Sequence, residues 1–262
     1  MPPNSTRHHP FMPLVMLVIV VPALLLILFF GLATGSFAML GLSRSQALLF
    51  LLASVVGSAI NIPLSRKRIQ LADPTMSQMS PMAQWIVTMF HYYPPAVVEQ
   101  VIAVNIGGAV LPVVFSAYLL SRTATPLLDA GIATVVVLVV AKLLARPVPG
   151  VGITLPGFIP PIVAAIVSYT LVTWAGAPFA DPGHAAPVAY ISGTLGTLVG
   201  ADLLNLPSVL KGGLLAAGPQ RIWWRGPVPA PDSGKPRILS IGGAGIFDGV
   251  FLTGLIAAFL AA

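Results

Sequence analysis

HHPFMPLVMLVIVVPALLLILFFGLATGSFAMLGLS, residues 8–43, contains no Asp, Glu, Lys or Arg. A run of roughly 20 apolar residues covers the hydrocarbon core of a bilayer as a helix, because about 1.5 Å of rise per residue then sums to about 30 Å. The stretch is too long for the apolar core of a cleavable signal peptide, although Ala33-Thr34-Gly35-Ser36-Phe37-Ala38 mimics a cleavage site. It reads as a retained first span. Composition agrees: 56% of the 262 residues are apolar and only 8% charged, against about 25% charged in a soluble domain.

Outward from that run, hydropathy places seven spans at about 11–33, 45–63, 97–120, 126–145, 153–175, 185–206 and 239–262. The expected fold is all-α, a polytopic transmembrane helix bundle forming one domain over residues 1–262. Lys and Arg orient it. Arg7, Arg66, Lys67, Arg68, Lys142, Arg146, Lys211, Arg221, Arg225, Lys235 and Arg237 fall on one side, and only Arg44 and Arg122 on the other. That bias puts the N-terminus inside and the C-terminus outside. The expected location is the prokaryotic inner (plasma) membrane, with lipids as the immediate partners. The net charge of +6 is spread between spans and does not form one patch, so no nucleic-acid partner is expected.

Several chemistries are excluded. The chain has no cysteine, which removes disulfides, thiolate metal sites and cysteine nucleophiles. His8, His9, His91 and His184 lack metal-ligand spacing, so neither a metal nor a cofactor is expected. No P-loop, GxSxG or HExxH pattern is present. Asp129 and Lys142 read as interfacial end caps of span four, and Glu99 as an interfacial carboxylate of span three.

Three connections stand out. Residues 64–96 contain a short interfacial helix at about 80–91, with Ser80 as cap, Pro81 in the first turn, and Met79, Met82, Trp85, Ile86 and Met89 on one face. Residues 146–161 hold five prolines and three glycines, which leaves a kinked start of span five and a re-entrant segment as equal alternatives. Residues 207–238 form a cytoplasmic loop. A five-residue echo also occurs: Asn105-Ile106-Gly107-Gly108-Ala109 resembles Ser240-Ile241-Gly242-Gly243-Ala244. It fits a parallel repeat of the transporter type, or small residues at helix contacts.

The loop 207–238 joins two spans that each carry a buried acid: Asp202 in GTLVGADLLNLP and Asp248 in SIGGAGIFDGVFLTG. A carboxylate at mid-membrane depth costs roughly 2.5–3.5 kcal/mol on insertion scales and is rarely idle. Asp248 lies nine residues past Leu239, roughly 13 Å into the membrane at helical rise. Asp202 lies four residues before Leu206, so the two depths can match. Gly193, Gly196 and Gly200, and Gly242, Gly245 and Gly249, give both spans smooth faces along which backbones can approach. Two carboxylates about 3 Å apart hold one proton between them, as a general acid and base for splitting a peptide bond require. Asp202 and Asp248 are thus the candidate catalytic residues. Gly200, Gly245, Gly249 and Asn105 are candidate contacts of an extended transmembrane peptide substrate. Asn105 also reads as interhelical glue, and Asp202 as a helix-end residue meeting Lys211 or water.

Gly245-Ile246-Phe247-Asp248-Gly249-Val250-Phe251-Leu252-Thr253-Gly254 resembles the second-aspartate segment of the presenilin and signal peptide peptidase group, with Phe251 and Thr253 at matching offsets. Asp202-Leu203-Leu204 is similar to that group's first-aspartate segment. The GADLLNL and GGAGxFDG segments also resemble those of a multi-pass membrane family of bacteria and archaea. The resemblance to the protease group implies an aspartic-type endopeptidase that cleaves in or near the membrane without metal. Phe247 replaces the last glycine of the group's motif, Ala201 replaces its tyrosine, and no Pro-Ala-Leu segment follows Asp248. Leu155-Pro156-Gly157 is the upstream candidate for that role, which makes Leu155 and Pro156 further substrate contacts. Two other functions use the same carboxylates differently: a proton-coupled transporter or ion pathway, and a non-catalytic scaffold.

Overall fold

A computed structural model describes residues 11–71, 81, 82, 85, 89, 96–122, 125–148, 152–174, 181–207, 237–243 and 249–262. Among these residues lie seven α-helices: α1 (Phe11–Met39), α2 (Arg44–Ser58), α3 (Leu111–Arg122), α4 (Leu127–Leu144), α5 (Ile159–Thr173), α6 (Ala185–Thr197) and α7 (Gly249–Ala261). By length and composition, Leu17–Met39 of α1 and the whole of α4 are able to cross a membrane. The remaining apolar helices are shorter. The turn between α1 and α2 is specified locally. Gly41 takes φ +84°, and Ser43 caps α2 in a reciprocal pair: its Oγ accepts from the Gln46 amide, and Gln46 Oε1 accepts from the Ser43 amide.

The helices bury small and aromatic residues inward and expose large aliphatic ones. Leu24, Ile27 and Leu28 of α1, Leu49 and Val56 of α2, and Leu143 of α4 are all exposed. α6 is the hub, with twelve of its thirteen residues buried. Tyr190 of α6 sits in an aromatic nest. Its ring centroid lies 5.1 Å from Phe115 at 84° and 6.5 Å from Phe37. Edge-to-face pairs of this kind add about 0.5–1.5 kcal/mol each beyond area burial. Phe37, Leu51, Phe115, Ala133, Val172, Tyr190 and Phe251 belong to one core to which every helix contributes.

A small sheet corrects the all-α expectation. Strands β1 (Asn61–Leu71) and β2 (Ala96–Asn105) pair antiparallel, from Asn61 opposite Asn105 to Leu71 opposite Ala96. The register slips between Pro63 and Ser65, where proline offers no amide to the ladder. Strands β3 (Arg146–Val148) and β4 (Gly152–Thr154) form a separate hairpin. Strand β5 (Arg237–Ile241) adds parallel to β2, so the larger sheet has the order β1-β2-β5. The expected span 97–120 is therefore a strand followed by α3, and the expected span 239–262 is a strand, a turn and α7. The end of the expected span 45–63 likewise belongs to β1. The cause is the β-branched run Val97, Val98, Val101, Ile102 and Val104, which is as apolar as a helix but fits a pleated ladder better.

The 146–161 stretch resolves into the β3–β4 hairpin followed by α5, with Pro160 and Pro161 in the first turn of that helix. Of the short helix expected at 80–91, Pro81, Met82, Trp85 and Met89 are described. All four are helical, and Met82, Trp85 and Met89 are exposed. Residues 208–236 of the expected loop 207–238 lie outside the described residues.

Candidate functional site

Asp202 stands where α6 widens. After Thr197 the chain enters a π-helical turn, Leu198–Leu203, closed by the Leu204 amide donating to the Val199 carbonyl at 2.9 Å. Such wide turns are rare inside helices and recur at functional sites. Asn205 closes the turn from below. Its Nδ2 donates to the carbonyls of Gly200 (3.2 Å) and Ala201 (2.9 Å). Lys142 of α4 donates to the Leu204 carbonyl and to Asn205 Oδ1, both at 2.7 Å. The expectation that Lys142 merely caps span four therefore understates it, since its ammonium braces the turn that carries Asp202.

The half-buried carboxylate of Asp202 accepts a hydrogen bond at Oδ2 from the amide of Gly242 at 2.9 Å. Gly242 follows β5 with φ +65°, a conformation that favours glycine. A Cβ there would also meet the Ala109 Cβ at 2.7 Å and the Ala109 amide nitrogen at 2.8 Å. Gly242 is thus wedged between Asp202 and a second π-helical turn, Ile106–Val110. Ala109, Leu198, Ile241 and Val250 pack as one cluster, which joins both π-helical turns, β5 and the start of α7.

Asn105 is fully buried, and both of its side-chain polar atoms are engaged. Its Oδ1 accepts from the Gly108 amide at 2.8 Å, and its Nδ2 donates to the Ser58 carbonyl at 2.8 Å and Asn61 Oδ1 at 3.1 Å. Ser240 Oγ donates to the same Asn61 oxygen at 2.6 Å. Asn105 and Ser240 are the first residues of the two five-residue echoes, and the strands leading to them run parallel in adjacent positions. The register, however, sets Ser240 opposite Ala103, and Ile241 still belongs to its strand where Ile106 opens a π-helical turn, so the two copies are neighbours without being superposable.

The expected site residues divide as follows. Asp202 is at the centre. Asp248 and Gly245 lie outside the described residues. Gly249 opens α7, and a Cβ added there would meet none of the described residues within 4 Å. Gly200 is buried, and its missing side chain faces the Leu138 carbonyl of α4. Gly196 also faces α4, at Val137, whereas Gly193 faces Thr253 and Gly254 of α7. The expected smooth face of span six is thus shared between two neighbours. The geometry makes Gly200 a packing residue, and Asn105 has its polar atoms engaged within the fold. Leu155 is half-buried and packs against the cluster formed by Ala141, Ala145 and Ala201, the last of which precedes Asp202 in the chain. Pro156 is exposed.

Asn61, Ser240, the Gly242 amide and Lys142 were not legible as members of this site. The signal available for Ser240 was its place in the echo, where it matches Asn105. No curated protein and no solved structure matches the chain. Residues 55–260, most of the chain, match the family model described as a protein of unknown function (DUF1614), and the chain belongs to that family.

Proposed function

We propose that this protein is an intramembrane aspartyl protease whose dyad is Asp202 and Asp248. In this reading the seven helices cross the membrane, and the β1-β2-β5 sheet and the Asp202 turn lie at its cytoplasmic side. The supporting observation is the bond from the Gly242 amide to Asp202 Oδ2. It fastens one acid to the turn that leads, six residues on, to the other. Val250, two residues past Asp248, shares a cluster with Leu198, four residues before Asp202. Leu155 beside Ala201 suits a wall of the substrate groove.

The chemistry needs one proton on the pair. The ionised aspartate takes a proton from water as the water oxygen bonds to the scissile carbonyl carbon. The protonated aspartate hydrogen-bonds the carbonyl oxygen. Collapse of the tetrahedral intermediate breaks the C–N bond, and a proton passes from the pair to the leaving amine. The apparent acidities belong to the pair, not to either member.

The test is hydrolysis of a transmembrane peptide reporter by the purified protein in liposomes. Asp202→Asn and Asp248→Asn each abolish cleavage while the folded protein level stays normal, and an analogue of the hydrated carbonyl inhibits the parent. Retained cleavage in either variant would remove the proposal. The two π-helical turns, one at the start of α3 and one at the end of α6, favour one second reading, proton-coupled transport, because transporters bind ions at exposed helix ends. That reading expects pH-dependent flux in liposomes that is insensitive to the analogue.

A further inference from the structure

Thr34, Thr134, Thr170 and Thr173 each return their hydroxyl to the carbonyl four residues back, at 2.6–2.7 Å. Thr194 and Thr197 of α6 do not. They are 0% and 1% exposed, and among the described residues neither hydroxyl has a hydrogen-bond partner. Tyr190 is fully buried as well; its hydroxyl lies against that of Thr194, and among the described residues neither has a further partner.

The spacings of four and three set Tyr190, Thr194 and Thr197 on one helix face. Beyond Thr197, the chain enters the π-helical turn that carries Asp202, five residues on. At the opposite end, Phe115 and Phe37 close around the Tyr190 ring. On the flank, Gly254 of α7 has no side chain, and the Thr194 hydroxyl occupies the position that its Cβ would need. A buried hydroxyl without a partner is unfavourable, and ordered water is the usual supplier of the missing bond.

The geometry points to a one-ended water site along α6, in which the hydroxyls of Tyr190, Thr194 and Thr197 hold water that exchanges at the Asp202 end and is sealed by aromatic rings at the other. A blind file of this kind hydrates a buried carboxylate without leaking across the bundle. The inference rests on α6 and not on peptide cleavage. Should cleavage hold, the same file supplies the attacking water.

Because the chain has no cysteine, single substitutions report access directly. The full-length protein in liposomes is treated with a small water-soluble methanethiosulfonate, comparing Thr197→Cys and Thr194→Cys with Ala133→Cys and Ala189→Cys, whose parent residues are equally buried. The threonine variants react at least an order of magnitude faster than the alanine variants. Equal rates in folded protein would overturn the water site. Water-edited solid-state NMR of the unaltered chain repeats the test without substitution. Magnetisation from water reaches Thr194 and Thr197 before Ala133 and Ala189, and simultaneous arrival would overturn the site. Neither readout uses a peptide substrate, so failure of the protease reading leaves both results standing.

Discussion

The amide of Gly242 donates to the Asp202 carboxylate across 2.9 Å, a bond between residues forty positions apart. It ties the end of β5 to the π-helical turn below α6, and Gly242 in turn rests on Ala109 of the other π-helical turn. Three interruptions of regular structure therefore meet at one carboxylate. Departures from ideal helix geometry persist only where the surroundings over-determine them, and they cluster at functional sites.

Gly242→Ala tests that wedge. The substitution forces a side chain into a left-handed conformation and against Ala109, at an expected cost of about 1–3 kcal/mol. Gly249→Ala, whose added methyl meets none of the described residues within 4 Å, is expected to stay within about 0.5 kcal/mol of the parent. Thermal unfolding in detergent compares the two. Equal stability of both variants would contradict the packing described.

Asn105→Ala removes a fully buried side chain that engages Ser58, Asn61 and Gly108. Leaving those partners unsatisfied is expected to cost about 2–3 kcal/mol. Ser240→Ala deletes one bond to Asn61 and is expected to cost about 0.5–1.5 kcal/mol. The same unfolding assay checks the order, which reverses if Asn105 serves a ligand and not the fold.

Gly200→Ala separates two roles for one residue. If Gly200 packs α6 on α4, the added methyl meets the Leu138 carbonyl, and stability falls by about 1–3 kcal/mol through overpacking. If it makes room for substrate, stability is unchanged and KM for the peptide reporter rises. The packing result is expected.

Hydropathy was informative about helices and silent about strands, for a physical reason. α4 at Leu127–Leu144 falls almost where the apolar run 126–145 places it, because a helix satisfies its own backbone. β2 and β5 also carry apolar residues, but each depends on a strand far away in the chain, and no local period distinguishes them from a helix. The same holds at the site. Asp202 was legible because a lone acid in an apolar run is costly. Its amide partner at Gly242, and the Lys142 brace on Asn205, depend on contacts that residue spacing cannot reveal. The echo Asn105-Ile106-Gly107-Gly108-Ala109 lay between these cases: its two strands are neighbours, but their pairing is offset from the echo by two residues.

The most direct test of the dyad is the separation of the Asp202 and Asp248 carboxyl groups in an experimental structure of the protein in lipid. A shared proton requires them to lie within about 8 Å of each other beside a polar cavity, loosely spaced in the absence of substrate. A separation beyond about 12 Å, or an Asp248 side chain turned to lipid, would contradict it, because one proton cannot then be shared between the two acids.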